Sequence, residues 1–196
     1  MQKKPFAESC EQNKQPIFNV LSVEFQNKKN ILEIGSGTGQ HAVFFAEQFP
    51  HLRWQPTERL ENISGINAWI NDSNLENIQT PLELDVTQQW PSGIFDGIFS
   101  SNTVHIMAWA AVEYMFEGIG KKLQNSGCFC LYGPFNYDGR FTSESNARFD
   151  IWLKEQDPER GIRDFEKLNQ LAKNVGLKFE TDYEMPANNR ILVWTK

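Results

Sequence analysis

Apolar residues along this chain fall into two alternating kinds of block. Short continuous runs at Asn30 to Ile34, Arg53 to Pro56, Gln79 to Leu84, Ile94 to Ser100 and Cys128 to Tyr132 read as strands. Between them, His41 to Phe49, Leu60 to Asn71, Trp109 to Leu123 and Asp164 to Val175 carry apolar residues at helical spacing, Ile63, Ile66 and Ile70 among them. An earlier helix is expected over Pro16 to Phe25, where Ile17, Val20, Leu21 and Phe25 lie on or near one face. Asn125-Ser126-Gly127 and Gly176 read as helix stops, and Asp164 as a cap. Gly133 to Gly161 is polar, aromatic and rich in turn residues, and reads as an insertion. Strands that alternate with helices make a parallel sheet covered on both faces. The end of the chain breaks that rhythm. Leu177 to Tyr183 and Arg190 to Trp194 are separated only by Glu184 to Asn189, too few residues for a helical crossover, so this pair is antiparallel. The expected fold is α/β, with a mostly parallel seven-stranded sheet, helices on both faces and an antiparallel C-terminal hairpin.

Composition narrows the picture. A length of 196 residues with 40% apolar content suits one domain with a sizeable core, and argues against a disordered chain. No apolar stretch nears the roughly 20 residues that span a bilayer. The start Met-Gln-Lys-Lys-Pro-Phe has basic residues but no apolar core behind them, so it does not read as a signal peptide. A soluble, cytoplasmic protein is the expectation. The net charge of −6 argues against a broad nucleic-acid surface. Cys128 and Cys130 share one face of a strand and read as small core residues. The cysteines form neither a disulfide framework nor a metal-binding spacing.

Candidate chemistry begins at Ile31-Leu32-Glu33-Ile34-Gly35-Ser36-Gly37-Thr38-Gly39-Gln40, a strand, a glycine turn and a helix start. Glycines let the backbone approach a ligand, and the helix N-terminus faces it. The spacing G-x-G-x-G is neither that of dinucleotide-binding folds nor a Walker loop. Preceded by Glu33, it resembles the first motif of S-adenosylmethionine (SAM)-dependent methyltransferases of the Rossmann-like class, which a C-terminal antiparallel hairpin also separates from dinucleotide folds. Ligands of open α/β sheets bind at the carboxyl ends of the strands. There Glu58 stands about 20 residues past the glycines, where a carboxylate can accept from ribose hydroxyls. Asp85 and Val86 suit the adenine amino group and ring. Ser101 and Asn102 stand where the amino-acid part of the cofactor and the transferred methyl would lie. Asn102 and His105 are the catalytic candidates, His105 as a general base.

The resemblance extends from residue 11 onward to a family of uncharacterised methyltransferase-like proteins that includes methyltransferase-like 26. It is carried by Asn13-Lys14-Gln15-Pro16-Ile17, Leu32 to Phe45, Trp54 to Glu58, Leu84-Asp85-Val86, Asn102 to Trp109, Tyr132 to Phe135, Ser145 to Asp150, Gly161 to Asp164 and Met185 to Asn189. It implies one methyltransferase domain over 1–196, with SAM as cofactor and S-adenosylhomocysteine as product. Residues 1–29 would form an N-terminal helical segment, and 133–161 an insertion or lid. The chain departs from the family pattern at Gln12, where Arg is usual, and at Glu58, where Asp is usual. Strand four ends in Ser-Ser-Asn-Thr, unlike enzymes that methylate base or amide nitrogens. A small polar acceptor is expected, gripped by Asn13, Lys14, Tyr132, Tyr137, Arg140, Asn146 and Arg148. The competing readings are a SAM-binding but catalytically silent scaffold that docks a protein, and an NAD-dependent oxidoreductase, disfavoured by the glycine spacing and the hairpin.

Overall fold

The computed structural model describes residues 4–196. The elements run α1 Glu8–Glu24, β1 Asn30–Ile34, α2 Gln40–Gln48, β2 Arg53–Glu58, α3 Leu60–Ser73, β3 Leu82–Glu83, β4 Phe95–Ser101, α4 Trp109–Lys122 and β5 Leu123–Gly133. They continue with β6 Phe135–Asn136, α5 Glu144–Gln156, β7 Arg163–Asp164, α6 Phe165–Asn174, β8 Lys178–Met185, a single 3-10 turn at Pro186–Asn188 and β9 Asn189–Thr195. The main sheet has seven strands in the order β3-β2-β1-β4-β5-β9-β8. β9 runs antiparallel to both β5 and β8, and the other pairs are parallel. No helix among the described residues is long and apolar enough to cross a membrane.

The central strands read as unbroken apolar runs because each serves two cores. On one face Ile31, Phe99, Cys128, Cys130, Tyr132, Ile191 and Val193 meet α1 and α2 through Ile17, Leu21 and Phe45. On the other, Leu32, Ile34, Ile98, Phe129, Leu131 and Trp194 meet α4 and α6 through Phe116 and Leu168. Successive side chains of a strand point to opposite faces, so odd and even positions divide between the cores. The ends are tied by polar groups. Asp96 accepts the backbone N–H groups of Lys29 and Asn30 at 2.8 and 2.7 Å and fixes the start of β1. The amide of Asn77 donates to the carbonyls of Ala46, Phe49 and Leu52, satisfying the C-terminal end of α2.

Three expectations need correction. The first helix starts at Glu8 and holds Pro16 inside it. Its first half has no apolar face and is held by polar contacts across the fold, which a periodicity search cannot see. Asn125-Ser126-Gly127 is no helix stop, since β5 begins at Leu123 directly after α4. This stretch stays extended because Ser126 N–H donates to the Lys196 carbonyl and Lys196 N–H to the Gly127 carbonyl. Within 133–161 lies α5, capped by Ser143, whose hydroxyl accepts from Asn146 N–H. Phe135, Asn146, Asp150 and Leu153 are buried there, so the segment is packed against the body of the fold.

Phe45 lies between the glycine-loop helix and the sheet, 5.6 Å from the Trp54 ring and 5.5 Å from the Phe99 ring by centroid, with no exposed surface. Phe45→Ala is expected to cost about 3–5 kcal/mol. Urea unfolding should show a lowered midpoint at an unchanged slope.

Candidate functional site

A cavity of about 650 Å³ opens at the carboxyl ends of β1, β2 and β4. Its floor is the loop from Gly35 to Gly39, whose shape is set by the ends of the two neighbouring strands. The N–H groups of Gly35 and Ser36 both donate to the Thr57 carbonyl, and the Thr57 hydroxyl donates to the Glu33 carbonyl at 2.6 Å. The Glu58 carboxylate accepts Gly37 N–H at 2.7 Å through one oxygen and Arg59 N–H at 2.8 Å through the other. Glu58 is thus oriented before any ligand arrives, and each oxygen keeps a lone pair for a hydroxyl. Gly37 has a φ of +55° and open space where a Cβ would stand, so a ligand can lie directly on its backbone.

Glu33 lines no part of the cavity. It is buried beneath the loop, where its Oε2 accepts the Ser36 hydroxyl at 2.8 Å and Trp54 Nε1–H at 3.0 Å. Burial pushes its carboxyl up to about 7, against the pull of these two donors. Gly35, Ser36, Gly37, Thr38, Glu58, Asp85, Val86, Ser101 and Asn102 do border the cavity. Gly39 does not, because it packs against α3, where a Cβ would come within 2.9 Å of Ile66 Cα. Asp85 spends Oδ1 on Thr87, accepting its N–H at 3.0 Å and its hydroxyl at 2.7 Å, and these bonds hold its carboxyl below the ordinary value. Val86 packs into the core beside Leu84.

Asn102 borders the cavity, whereas His105 and Gly133 do not and lie buried behind it. Asn102 takes the left-handed backbone region at φ +57° and donates its N–H to the Tyr132 carbonyl. His105 is buried edge-on against Phe149, and its Nδ1 has no partner. Burial, helped by the charge of Arg163, pushes His105 down to about 4, so its imidazole is neutral at neutral pH. A Cβ on Gly133 would stand 3.7 Å from that Nδ1 and 3.8 Å from Asn102 Oδ1. Gly133 does not adopt the left-handed region, and its neighbours leave room for a methyl group. Neither backbone nor packing demands glycine there, and the notch it leaves faces two hydrogen-bonding atoms.

Of the residues expected to grip an acceptor, only Asn13 and Tyr132 are brought into contact through their side chains. Asn13 meets His41 Nε2 at 2.7 Å and also reaches the Tyr132 hydroxyl. Lys14 pairs with Glu11 over the Phe44 ring. The Tyr137 hydroxyl donates to Asp182 at 2.6 Å. Arg148 is exposed, 3.8 Å from Glu144, and Arg140 is also exposed. Asn146 donates to Thr142 and to the Asn188 carbonyl. None of these seven borders the cavity. Its remaining walls come instead from Ala7, Ser9 and Cys10 at the start of α1, from His41, and from Met107, Asp157 and Arg160. Long-range packing places them, and no local spacing marks them; only the nearness of His41 to the glycine loop was a usable signal.

This sheet order, with its glycine loop, the acid at the end of β2 and the terminal antiparallel strand, is the Rossmann-like methyltransferase fold. The chain belongs to the family described as "Protein of unknown function (DUF938)", whose pattern matches residues 4–196. It is similar to an O-methyltransferase family 2 protein from Planctomyces limnophilus, solved with apigenin, at 15% identity and a TM-score of 0.83, over 96% of this chain and 57% of that one. An O-methyltransferase family protein from Burkholderia thailandensis matches at 13% identity and TM-score 0.82, over 93% and 56%. Human N-acetylserotonin methyltransferase, solved with SAM, matches at 16% and 0.76, over 93% and 54%. The chain therefore spans a little over half the length of these structures.

Glu33 gives the site a pH signature. Its carboxyl ionises near 7 when folded and near 4.5 when unfolded, so the folded chain holds a proton that the unfolded chain releases. That contribution to stability is complete below about pH 4.5 and is lost as pH rises through 7. Between pH 5 and 8 the wild type should lose about 2–3 kcal/mol relative to Glu33→Gln, read from urea melts of both proteins.

Proposed function

We propose that this protein is a SAM-dependent methyltransferase that acts on a small polar acceptor. The observation that carries the reading is the ligand-ready pair of Gly37, open to the cavity, and Glu58, already oriented by two backbone donors. The residues present fit SAM. Glu58 would take the ribose hydroxyls, Asp85 Oδ2 and Val86 the adenine, and Ser36, Ser101 and Asn102 the amino-acid end. The buried Ser101 hydroxyl has no partner among the described residues, which suits a polar ligand tail beside it. When bound, SAM supplies a methyl carbon activated by positively charged sulfur.

The chain's own contribution is alignment, exclusion of water and removal of a proton. The acceptor group approaches beside Asn102 at the cavity wall, toward the point over Gly133 where Asn102 Oδ1 and His105 Nδ1 converge. Neutral His105 accepts the acceptor's proton while Asn102 holds the acceptor in place. The resemblance to the family that includes methyltransferase-like 26 and the fold shared with O-methyltransferases support this reading, as does a small-molecule-sized cavity. We further read the protein as a soluble cytoplasmic enzyme, with residues 1–196 acting as a single domain. A silent SAM-binding scaffold is the alternative, and turnover separates the two.

The direct test is incubation with methyl-labelled SAM and a metabolite extract, which should yield labelled small molecules. Absence of label from every metabolite, with SAM bound, would favour the scaffold. Glu58→Ala should weaken SAM at least tenfold by calorimetry, through loss of charge-assisted bonds of roughly 1.5–3 kcal/mol. His105→Ala and Gly133→Ala should each lower turnover and leave SAM affinity near that of the wild type. The wild-type rate should stay flat from pH 5.5 to 7.5, because His105 is already neutral there and loses activity only as pH falls toward 4. A rate limb centred near 6.5 would contradict the buried base.

A further inference from the structure

Residues 4–11 lie across the cavity and are attached almost wholly by polar contacts. Lys4 pairs with Asp72 at 2.5 Å and covers the Trp69 ring at 4.7 Å. The Pro5 carbonyl accepts Trp69 Nε1–H at 2.8 Å, and its ring rests on Gly65, where a Cβ would come within 2.6 Å of Pro5 Cγ. Ala7 N–H donates to Gln40 Oε1 at 2.6 Å, and Gln40 Nε2 donates to Glu11 at 2.9 Å. Pro5 is thereby fastened to α3 and Glu11 to α2, with the glycine loop passing beneath. Ala7, Ser9 and Cys10 form part of the cavity wall, and Pro5 faces Gly37 and Thr38 across a second opening of about 460 Å³.

No residue from Lys4 to Pro16 is fully buried, and the first that is buried is Ile17. Pro16 stands between the two halves of α1. It lacks the N–H that would bond the Gln12 carbonyl, so the helix is weakest there. Ile17 and Leu21 anchor the second half in the core. A segment with few buried apolar contacts, fixed by a handful of hydrogen bonds and joined at a weak point, opens locally at small cost.

We propose that residues 4–11 are a strap over the cofactor cavity, latched by Gln40, Trp69 and His41 and hinged at Pro16, which opens for cofactor entry and release. His41 meets the Cys10 backbone and Asn13. The strap adds Ser9 and Cys10 to the binding wall. This rests on the SAM reading of the cavity. Opening then precedes both association and dissociation, so a weakened latch speeds both.

The test compares wild type, Gln40→Ala and Trp69→Phe. Gln40 is buried, so Trp69→Phe, which removes the donor to Pro5 and reduces the ring beneath Lys4, covers the case in which Gln40→Ala fails to fold. In stopped-flow displacement of S-adenosylhomocysteine, each variant should dissociate at least fivefold faster and associate at least as fast as the wild type. Dissociation within twofold of wild type in both variants overturns the strap. Hydrogen exchange of the ligand-free proteins scores the latch independently. The amides of Ala7 to Cys10 should exchange at least fivefold faster in the variants, with the core amides of β4 and β5 unchanged. Equal exchange in all three proteins overturns the strap whatever binds the cavity. Faster exchange in the variants, with no S-adenosylhomocysteine bound by the wild type, supports the strap and overturns the cofactor reading.

Discussion

One carboxyl buried at the end of β1 sets the geometry on which the site rests. Glu33 takes the Ser36 hydroxyl from the glycine loop and the Trp54 indole N–H from β2 on the same oxygen. Its backbone carbonyl accepts the Thr57 hydroxyl, and the Thr57 carbonyl receives two loop N–H groups. Loop, β1 and β2 are thus joined in a dry environment, where such bonds are strong and their loss leaves unpaired polar groups. Glu58 follows Thr57 directly and is placed by the same arrangement, so the residue facing the cavity inherits its position from one that does not.

The rest of the molecule supports that arrangement from two sides. The Phe45, Trp54 and Phe99 cluster presses α2 onto the sheet and so holds the glycine loop at the floor of the cavity. On the opposite edge the β4–α4 connection is tied down by Arg163, which donates to the carbonyls of Val104 and Met107 and so seats His105 between them. Rigid floor and rigid far wall contrast with the polar attachment of the chain's start.

How much of this was legible follows from what carries the information. β1, β4, β5 and β9 announce themselves because both their faces are buried, and Gly35, Gly37 and Glu58 because a close backbone turn and an acid at the end of the next strand mark residue type locally. The six-residue gap before Arg190 was enough to force the antiparallel end. The start of α1 was not legible, since Glu11 and Asn13 owe their helix to Gln40 and His41, about 28 residues away in sequence. α5 was hidden by its clustered Phe149, Ile151, Trp152 and Leu153, although the Ser143 cap was a usable signal. The residues expected to contact an acceptor lie away from the cavity for a related reason. Aromatic and polar residues in one segment point in different directions once it folds, with Tyr137 drawn to Asp182 and Arg148 to solvent.

The central claim is that the glycine loop and Glu58 form a SAM site on a methyltransferase fold and not a nicotinamide site. Calorimetric titration of the wild-type protein with SAM and, in parallel, with NAD tests it most directly. The account predicts saturable micromolar binding of SAM, about −7 to −8 kcal/mol, and no heat of binding with NAD. Saturable binding of NAD, or no binding of SAM, would contradict it.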